Sequence, residues 1–367
     1  MPPEYAISST DVTVAHGRIR PHIHETPILT NAHLNRLAST DMPRALFLKC
    51  ENLQKVGAFK FRGAMNALLQ IREAHVRTGG VSVEAGRERV RVATHSSGNH
   101  AQAIALAARL LGMHATIVMP STAPKTKVSA VIAYGADVVF CEPNQRKREE
   151  AVEKVVKETG AVFVHPYQDA RVMAGQGTLM LELLDQVETG RIVHHKPDAG
   201  PVRLDAVLVP VGGGGMLSGC AVVAAASKMA PRVFAAEPLA VDDCARGFAL
   251  GARQTMQAAE RVPIQTVADG LMTTIGEPNW PIIRDHVEAV FTVSEEEIVE
   301  AMRLVFERVK LVIEPSAAVG VAVALFNKEF KKLKGVENVG IVLCGGNLDL
   351  DKELPWVGKL AKESSRL

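Results

Sequence analysis

From residue 90 onward, short runs of β-branched and apolar residues alternate with longer stretches whose apolar positions recur at helical spacing. The pattern predicts strands at 90–94, 115–119, 137–141 and 161–165, separated by helices at 101–111, about 125–134 and 148–159. A second series predicts a strand at 205–211, a helix at 216–229, a strand at 232–236 and a last strand at 339–343. Strands that alternate with helices imply parallel sheets covered on both faces, so two α/β units are expected. Ser294-Glu295-Glu296-Glu297 has capping-box spacing ahead of a helix at 298–310, and Pro315 suits the first turn of the next helix. Residues 78–88 and 188–203, rich in Gly, Pro and charge, read as surface loops.

At 367 residues the chain has the length of about two domains. Charged residues make up 22% and the formal net charge is +2, so no large field attracts nucleic acid or an anionic membrane, and a small-molecule partner is expected. The five cysteines are scattered, with no C-x-x-C pair. No basic start leads into an apolar run, and no window approaches a membrane span. A cytoplasmic protein is expected, with no appended regulatory domain after the last strand.

Gly57-Ala58-Phe59-Lys60-Phe61-Arg62-Gly63-Ala64 sets one lysine between two phenylalanines just after a glycine turn. Apolar neighbours that exclude water lower a lysine's pKa and leave a neutral amine, able to attack an aldehyde or take a proton. The same octapeptide also suits a lysine that snorkels from a half-buried helix. Gly212-Gly213-Gly214-Gly215 follows a predicted strand and precedes a helix opening at Met216, a setting in which backbone N–H groups converge on an anion. The spacing fits neither the dinucleotide fingerprint nor a P-loop, so a single phosphate is the better match. Ser96-Ser97-Gly98-Asn99-His100 lies at a strand's C-terminal end, where parallel sheets place ligands, although its composition also suits a turn and cap. Cys344-Gly345-Gly346-Asn347 ends the last strand; with no adjacent base, Cys344 reads as a hydrogen-bonding thiol rather than a nucleophile. By spacing alone Glu237 and Asp243 are surface charges, and the pairs His22/His24 and His194/His195 are loop residues.

Taken in order, G-A-F-K-F-R-G-A, S-S-G-N-H, G-G-G-G-M and C-G-G-N-L-D resemble the fold-type II pyridoxal phosphate enzymes, in the serine racemase and serine/threonine dehydratase branch. C-E-P at Glu142, A-G-Q-G-T from Ala174, A-A-E-P-x-x-x-D-D-C from Ala235 and W-P-I-I-R-D from Trp280 strengthen the likeness, which runs from about Thr26 to Leu350. It implies two three-layer α/β domains with mostly parallel sheets, similar to the tryptophan synthase β fold. Residues 1–88 and 169–367 would form a large cofactor-binding domain, and 89–168 a small one inserted in it that closes over the substrate.

By the same resemblance Lys60 binds the cofactor aldehyde, Phe59 packs beside the ring, Asn99 meets the ring hydroxyl and Cys344 faces the pyridine nitrogen. Gly212, Gly213, Gly214, Gly215 and Met216 hold the phosphate, while Ser96, Ser97, Gly98 and His100 close on the substrate, with Ser97 exchanging a proton on the face opposite Lys60. Glu237, Asp243 and the carbonyl of Val241 match a divalent-cation site for Mg²⁺, Mn²⁺ or Ca²⁺. Ala58 and Cys344 stand where many relatives have serine, and Tyr167 where mammalian-like members have asparagine. The implied activity is pyridoxal phosphate-dependent serine racemisation with β-elimination of serine to pyruvate and ammonia. The alternative is a dehydratase of threonine, serine or 3-hydroxyaspartate that does not racemise. A homodimer and activation by ATP are further implications.

Overall fold

The computed structural model describes residues 4–78, 90–193, 200–255 and 266–357. Most of the predicted loop at 78–88, and both His194 and His195, lie outside the described residues. The strands are β1 (Ile28–Leu29), β2 (Ala45–Lys49), β3 (Arg91–His95), β4 (His114–Pro120), β5 (Asp137–Cys141), β6 (Val162–Phe163), β7 (Ala206–Pro210), β8 (Arg232–Pro238), β9 (Ala289–Val293) and β10 (Asn338–Val342). The helices are α1 (Ser9–Ile19), α2 (Ala32–Ala38), α3 (Lys60–Arg77), α4 (Asn99–Leu110), α5 (Lys125–Ala133), α6 (Gln145–Thr159) and α7 (Ala170–Glu188). They continue with α8 (Gly215–Ala226), α9 (Asp243–Leu250), α10 (Trp280–His286), α11 (Glu295–Leu304), α12 (Pro315–Phe326) and α13 (Lys328–Lys332).

Six strands pair in the order β1-β2-β10-β7-β8-β9 and four in the order β5-β4-β3-β6. Every pairing is parallel except β1 with β2 at one edge. Every residue of β7 is buried, as expected for a strand covered on both faces. Helices α8 and α12 carry almost only small and apolar residues and are buried nearly all round.

Glycines bring the central helices together. A Cβ on Gly175 of α7 would stand 2.6 Å from Gly63 Cα in α3, and one on Gly177 would stand 2.7 Å from Gly219 O in α8. The A-G-Q-G-T stretch is thus a helix-packing surface that draws α3 and α8 onto α7. Beneath the first turn of α3, Arg62 is fully buried and binds Glu51 (2.7 and 2.8 Å) and Glu182 (2.8 and 2.7 Å), while Lys49 reaches Glu182 at 2.9 Å. This ionic cluster ties β2, α3 and α7 together two residues from Lys60.

The strand and helix alternation follows the sequence pattern closely, with local differences. β6 pairs only over Val162–Phe163, because the chain then turns off with Val164 N still bound to Ala93 O. The capping box at Ser294 forms reciprocally, so the helix opens at Glu295; past Leu304 it widens to a π-helix over Val305–Val309 and stops where Lys310 takes a left-handed φ of 63°. Helix α8 ends at Ala226, earlier than its apolar pattern implies, as Ser227 becomes extended.

Candidate active site

The C-terminal ends of β3, β7 and β10 open on one cavity of about 410 Å³, within the range of small-molecule sites. It is lined by Phe59, Lys60, Ser96, Ser97, Gly98, Asn99, His100, Gly212 to Gly215, Met216 and Cys344, which brings together all the residues expected to meet cofactor or substrate.

Lys60 opens α3, and Phe59 N donates to Cys344 O at 3.1 Å, so the lysine starts beside the end of β10. Its Nζ donates to Pro166 O at 3.0 Å and lies 5.1 Å from the centre of the Phe59 ring. Burial lowers the pKa of this amine to about 8, against a small opposing pull from Cys344. Burial also pushes the Cys344 thiol well above its ordinary value, so a neutral thiol faces the cavity. In the Pro166 segment, His165 Nδ1 accepts the N–H groups of Tyr167 (3.3 Å) and Gln168 (3.0 Å). Burial, with His95 and Lys60 nearby, lowers the His165 pKa to about 4.

The glycine turn is a cup whose outer side is pinned. Asn279 Nδ2 donates to Gly213 O (2.7 Å) and Tyr167 O (3.0 Å), and Gly276 N also donates to Gly213 O (3.0 Å). With these carbonyls turned outward, the free N–H groups at the start of α8 are left for an anion. Side chains are excluded: a Cβ on Gly213 would lie 2.3 Å from the Tyr167 ring, and Gly214 holds a left-handed φ of 89°. The cup, a desolvated amine and a neutral thiol fit a phosphorylated aldehyde cofactor with a ring nitrogen.

On the facing side, Gly98 N donates to Ser96 Oγ at 3.3 Å, and Ser97 is half-buried with its residue lining the cavity. His100 is buried and both its ring nitrogens lack protein partners; burial drives its pKa well below the ordinary value, so it is neutral. Asn99 is held between Glu314 and Asn347.

Sequence reasoning missed several groups. Glu314 is a buried carboxyl in the wall whose only sequence signal is its place before Pro315. Lys127 of α5 pairs with Asp269 at 2.6 Å across the rim, and Arg148 of α6 also lines the cavity. Such scattered charges carry no motif.

Glu237 and Asp243 lie outside this cavity, and they are not surface charges: each is almost fully buried. Glu237, at the end of β8, accepts from Cys244 N (3.0 Å) and Ala245 N (2.9 Å), while Asp243 accepts from Ile275 N (3.0 Å). Burial raises Glu237 to about 8 and Asp243 to about 6, and the charge on Asp243 adds to the rise at Glu237. Val241 is buried in the turn between them. Among the described residues no cluster of three or more His, Cys, Asp or Glu side chains suits a metal, so a cation here would draw further ligands from carbonyls and water.

Residues 19–345 match the family model described as pyridoxal-phosphate dependent enzyme. The chain is 44% identical over 363 residues to the serine racemase of Homo sapiens, covering 99% of this chain and 97% of that protein. It is 43% identical over 352 residues to the beta-hydroxyaspartate dehydratase of Paracoccus denitrificans (strain Pd 1222), covering 96% and 99%. The crystal structure of serine racemase from Dictyostelium discoideum matches with a TM-score of 0.81 at 40% identity, covering 94% of this chain and 100% of that one. Likeness of this extent in both sequence and structure settles the family: the chain belongs to the pyridoxal-phosphate dependent enzymes of fold type II, in the branch that holds the serine racemases and hydroxy-amino-acid dehydratases.

Proposed function

We propose that the chain is a serine racemase that interconverts L- and D-serine and also eliminates serine to pyruvate and ammonia. The observation that carries this reading is that Lys60 and Ser97 meet at one cavity from different units, the lysine from α3 and the serine from the loop after β3. Gly212 to Gly215 and Met216 bind the cofactor phosphate, Phe59 packs by the ring, Asn99 meets its hydroxyl and Cys344 its nitrogen. Pyridoxal phosphate, when bound, supplies the electron sink that makes the substrate Cα–H acidic. Lys60, able to be neutral near pH 8, takes that proton on one face. Ser97 delivers a proton to the other face, giving D-serine. Ser96, Gly98, the neutral His100 and the N-terminus of α4 hold the substrate carboxylate. Alternatively Lys60 passes the proton it has taken to the β-hydroxyl, which leaves as water, and hydrolysis of the dehydrated product consumes one water to give pyruvate and ammonia. Cys344 would meet the ring nitrogen as a neutral thiol.

Dehydration of 3-hydroxyaspartate is the second reading. Arg148 of α6, which lines the cavity, suits its extra carboxylate. Product analysis with L-serine, D-serine, L-threonine and 3-hydroxyaspartate decides: D-serine from L-serine supports the racemase, and pyruvate alone supports a dehydratase.

The same proposal takes 1–88 and 169–367 as the large domain and 89–168 as the small one that closes over the substrate. It takes Glu237, Asp243 and the Val241 carbonyl as ligands of Mg²⁺, Mn²⁺ or Ca²⁺, because an added cation would stabilise two buried carboxylates in their ionised form. A homodimer is part of the same proposal. The five free thiols support a cytoplasmic location. Activation by ATP is tested by assays with and without the nucleotide.

A further inference from the structure

Glu314 is the N-cap residue of α12, yet its carboxyl does not cap that helix. It turns into the cavity wall, 5% exposed, where both oxygens accept from Asn99 Nδ2 at 2.9 and 3.2 Å. There is room because residue 345 is glycine; a Cβ there would stand 2.4 Å from Glu314 Oε1. Asn99 Oδ1 accepts from Asn347 Nδ2 at 2.8 Å, and that same nitrogen donates to Val56 O at 2.7 Å. These bonds fix which way the Asn99 amide points. Its oxygen is taken by Asn347, one N–H is held by Glu314, and the second N–H is left for the cavity.

The geometry points to Glu314 as a positioning residue that, through Asn99, sets whether the ring oxygen of the cofactor is held as hydroxyl or as oxyanion. The inference rests on the reading above, in which Asn99 meets that oxygen. Two acids on one buried hydrogen-bonded chain do not ionise independently, because the charge on one raises the cost of charging the other. The ring oxyanion is favoured while Glu314 keeps its proton, and the hydroxyl is favoured once Glu314 ionises.

Glu314 is poised for this exchange. Burial raises its pKa to about 7, Asp269 pushes the same way, and the Asn99 hydrogen bond and Lys127 oppose it. Lys127, on α5, is itself paired with Asp269 on the facing turn at 2.6 Å, so neither charge is free to fix the state of Glu314. The neutral Cys344 thiol at the end of β10, the Lys60 amine on α3, His95, His100, Tyr167 and Arg148 also line this cavity.

The test is a pH titration of the visible absorbance of purified holoenzyme, as wild type, Glu314→Gln and Asn99→Ala, with bound pyridoxal phosphate quantified in each. With absorbance expressed per bound cofactor, a step with a midpoint near pH 7 is expected in wild type and is lost in Glu314→Gln and in Asn99→Ala. A Glu314→Gln enzyme that keeps the wild-type step overturns the inference, as does an Asn99→Ala enzyme that keeps it. Infrared difference spectra of wild-type against Glu314→Gln holoenzyme separate the Glu314 carboxyl from those of Glu237 and Asp243, whose pKa values burial also raises. A protonated-carboxyl band that disappears through about pH 7 supports the assignment, and no such band overturns it. A chain that takes up no pyridoxal phosphate at all would overturn the functional reading beneath the inference instead.

Discussion

Lys60 Nζ donates to the carbonyl oxygen of Pro166 at 3.0 Å, so the amine at the start of α3 rests on the backbone just after β6. That bond orients the amine, and burial lowers its pKa to about 8. The amine is therefore charged below that value and neutral above it. Attachment of pyridoxal phosphate to apoprotein should quicken by about tenfold per pH unit and level off near pH 8, followed by stopped-flow absorbance. A rate still climbing toward about pH 10, the range of an ordinary lysine, would contradict the desolvated site. Lys60→Ala should abolish turnover.

The ionic cluster beneath α3 makes a separate prediction about stability. Burial alone would raise the pKa of Glu182, but Arg62 and Lys49 outweigh it and hold it at about 2. A carboxylate depressed in this way contributes stability that is fully present above its unfolded value of about 4.5 and is lost as pH falls toward 2. Glu182→Ala leaves Arg62 and Lys49 short of a counter-charge and should cost about 3–5 kcal/mol near neutral pH. Denaturant unfolding of both proteins between about pH 7 and pH 3 checks this, with the gap between them narrowing in acid.

Much of this fold was legible in the sequence because parallel strands buried on both faces read as short apolar runs, as at Ala206–Pro210 and His114–Pro120. The cup at Gly212 to Gly215 was legible for a related reason: such a run is costly unless something must come close. What escaped were groups set by tertiary contact. Glu314 looks like any acid before a helix proline, and only Gly345 and Asn99 make it a buried wall residue. Glu237 and Asp243 read as surface charges by spacing, because nothing local announces that β8 ends in the interior or that Ile275 N will cover Asp243.

Those two carboxylates predict a response to divalent cations. After chelation, adding Mg²⁺ or Mn²⁺ at about 100 times its Kd should stabilise the fold by about 2.7 kcal/mol, seen as a rise in Tm. Glu237→Gln and Asp243→Asn should each remove that response. An unchanged Tm in wild type would remove these residues from any cation site.

The central claim is that one cavity holds a proton donor on each face of Cα, and chiral chromatography of serine after incubation with L-serine tests it most directly. The account predicts D-serine and pyruvate from wild type, and from Ser97→Ala a loss of D-serine by about 100-fold or more with pyruvate formation retained. Equal loss of both products, or D-serine formed at the wild-type rate without the Ser97 hydroxyl, would contradict it.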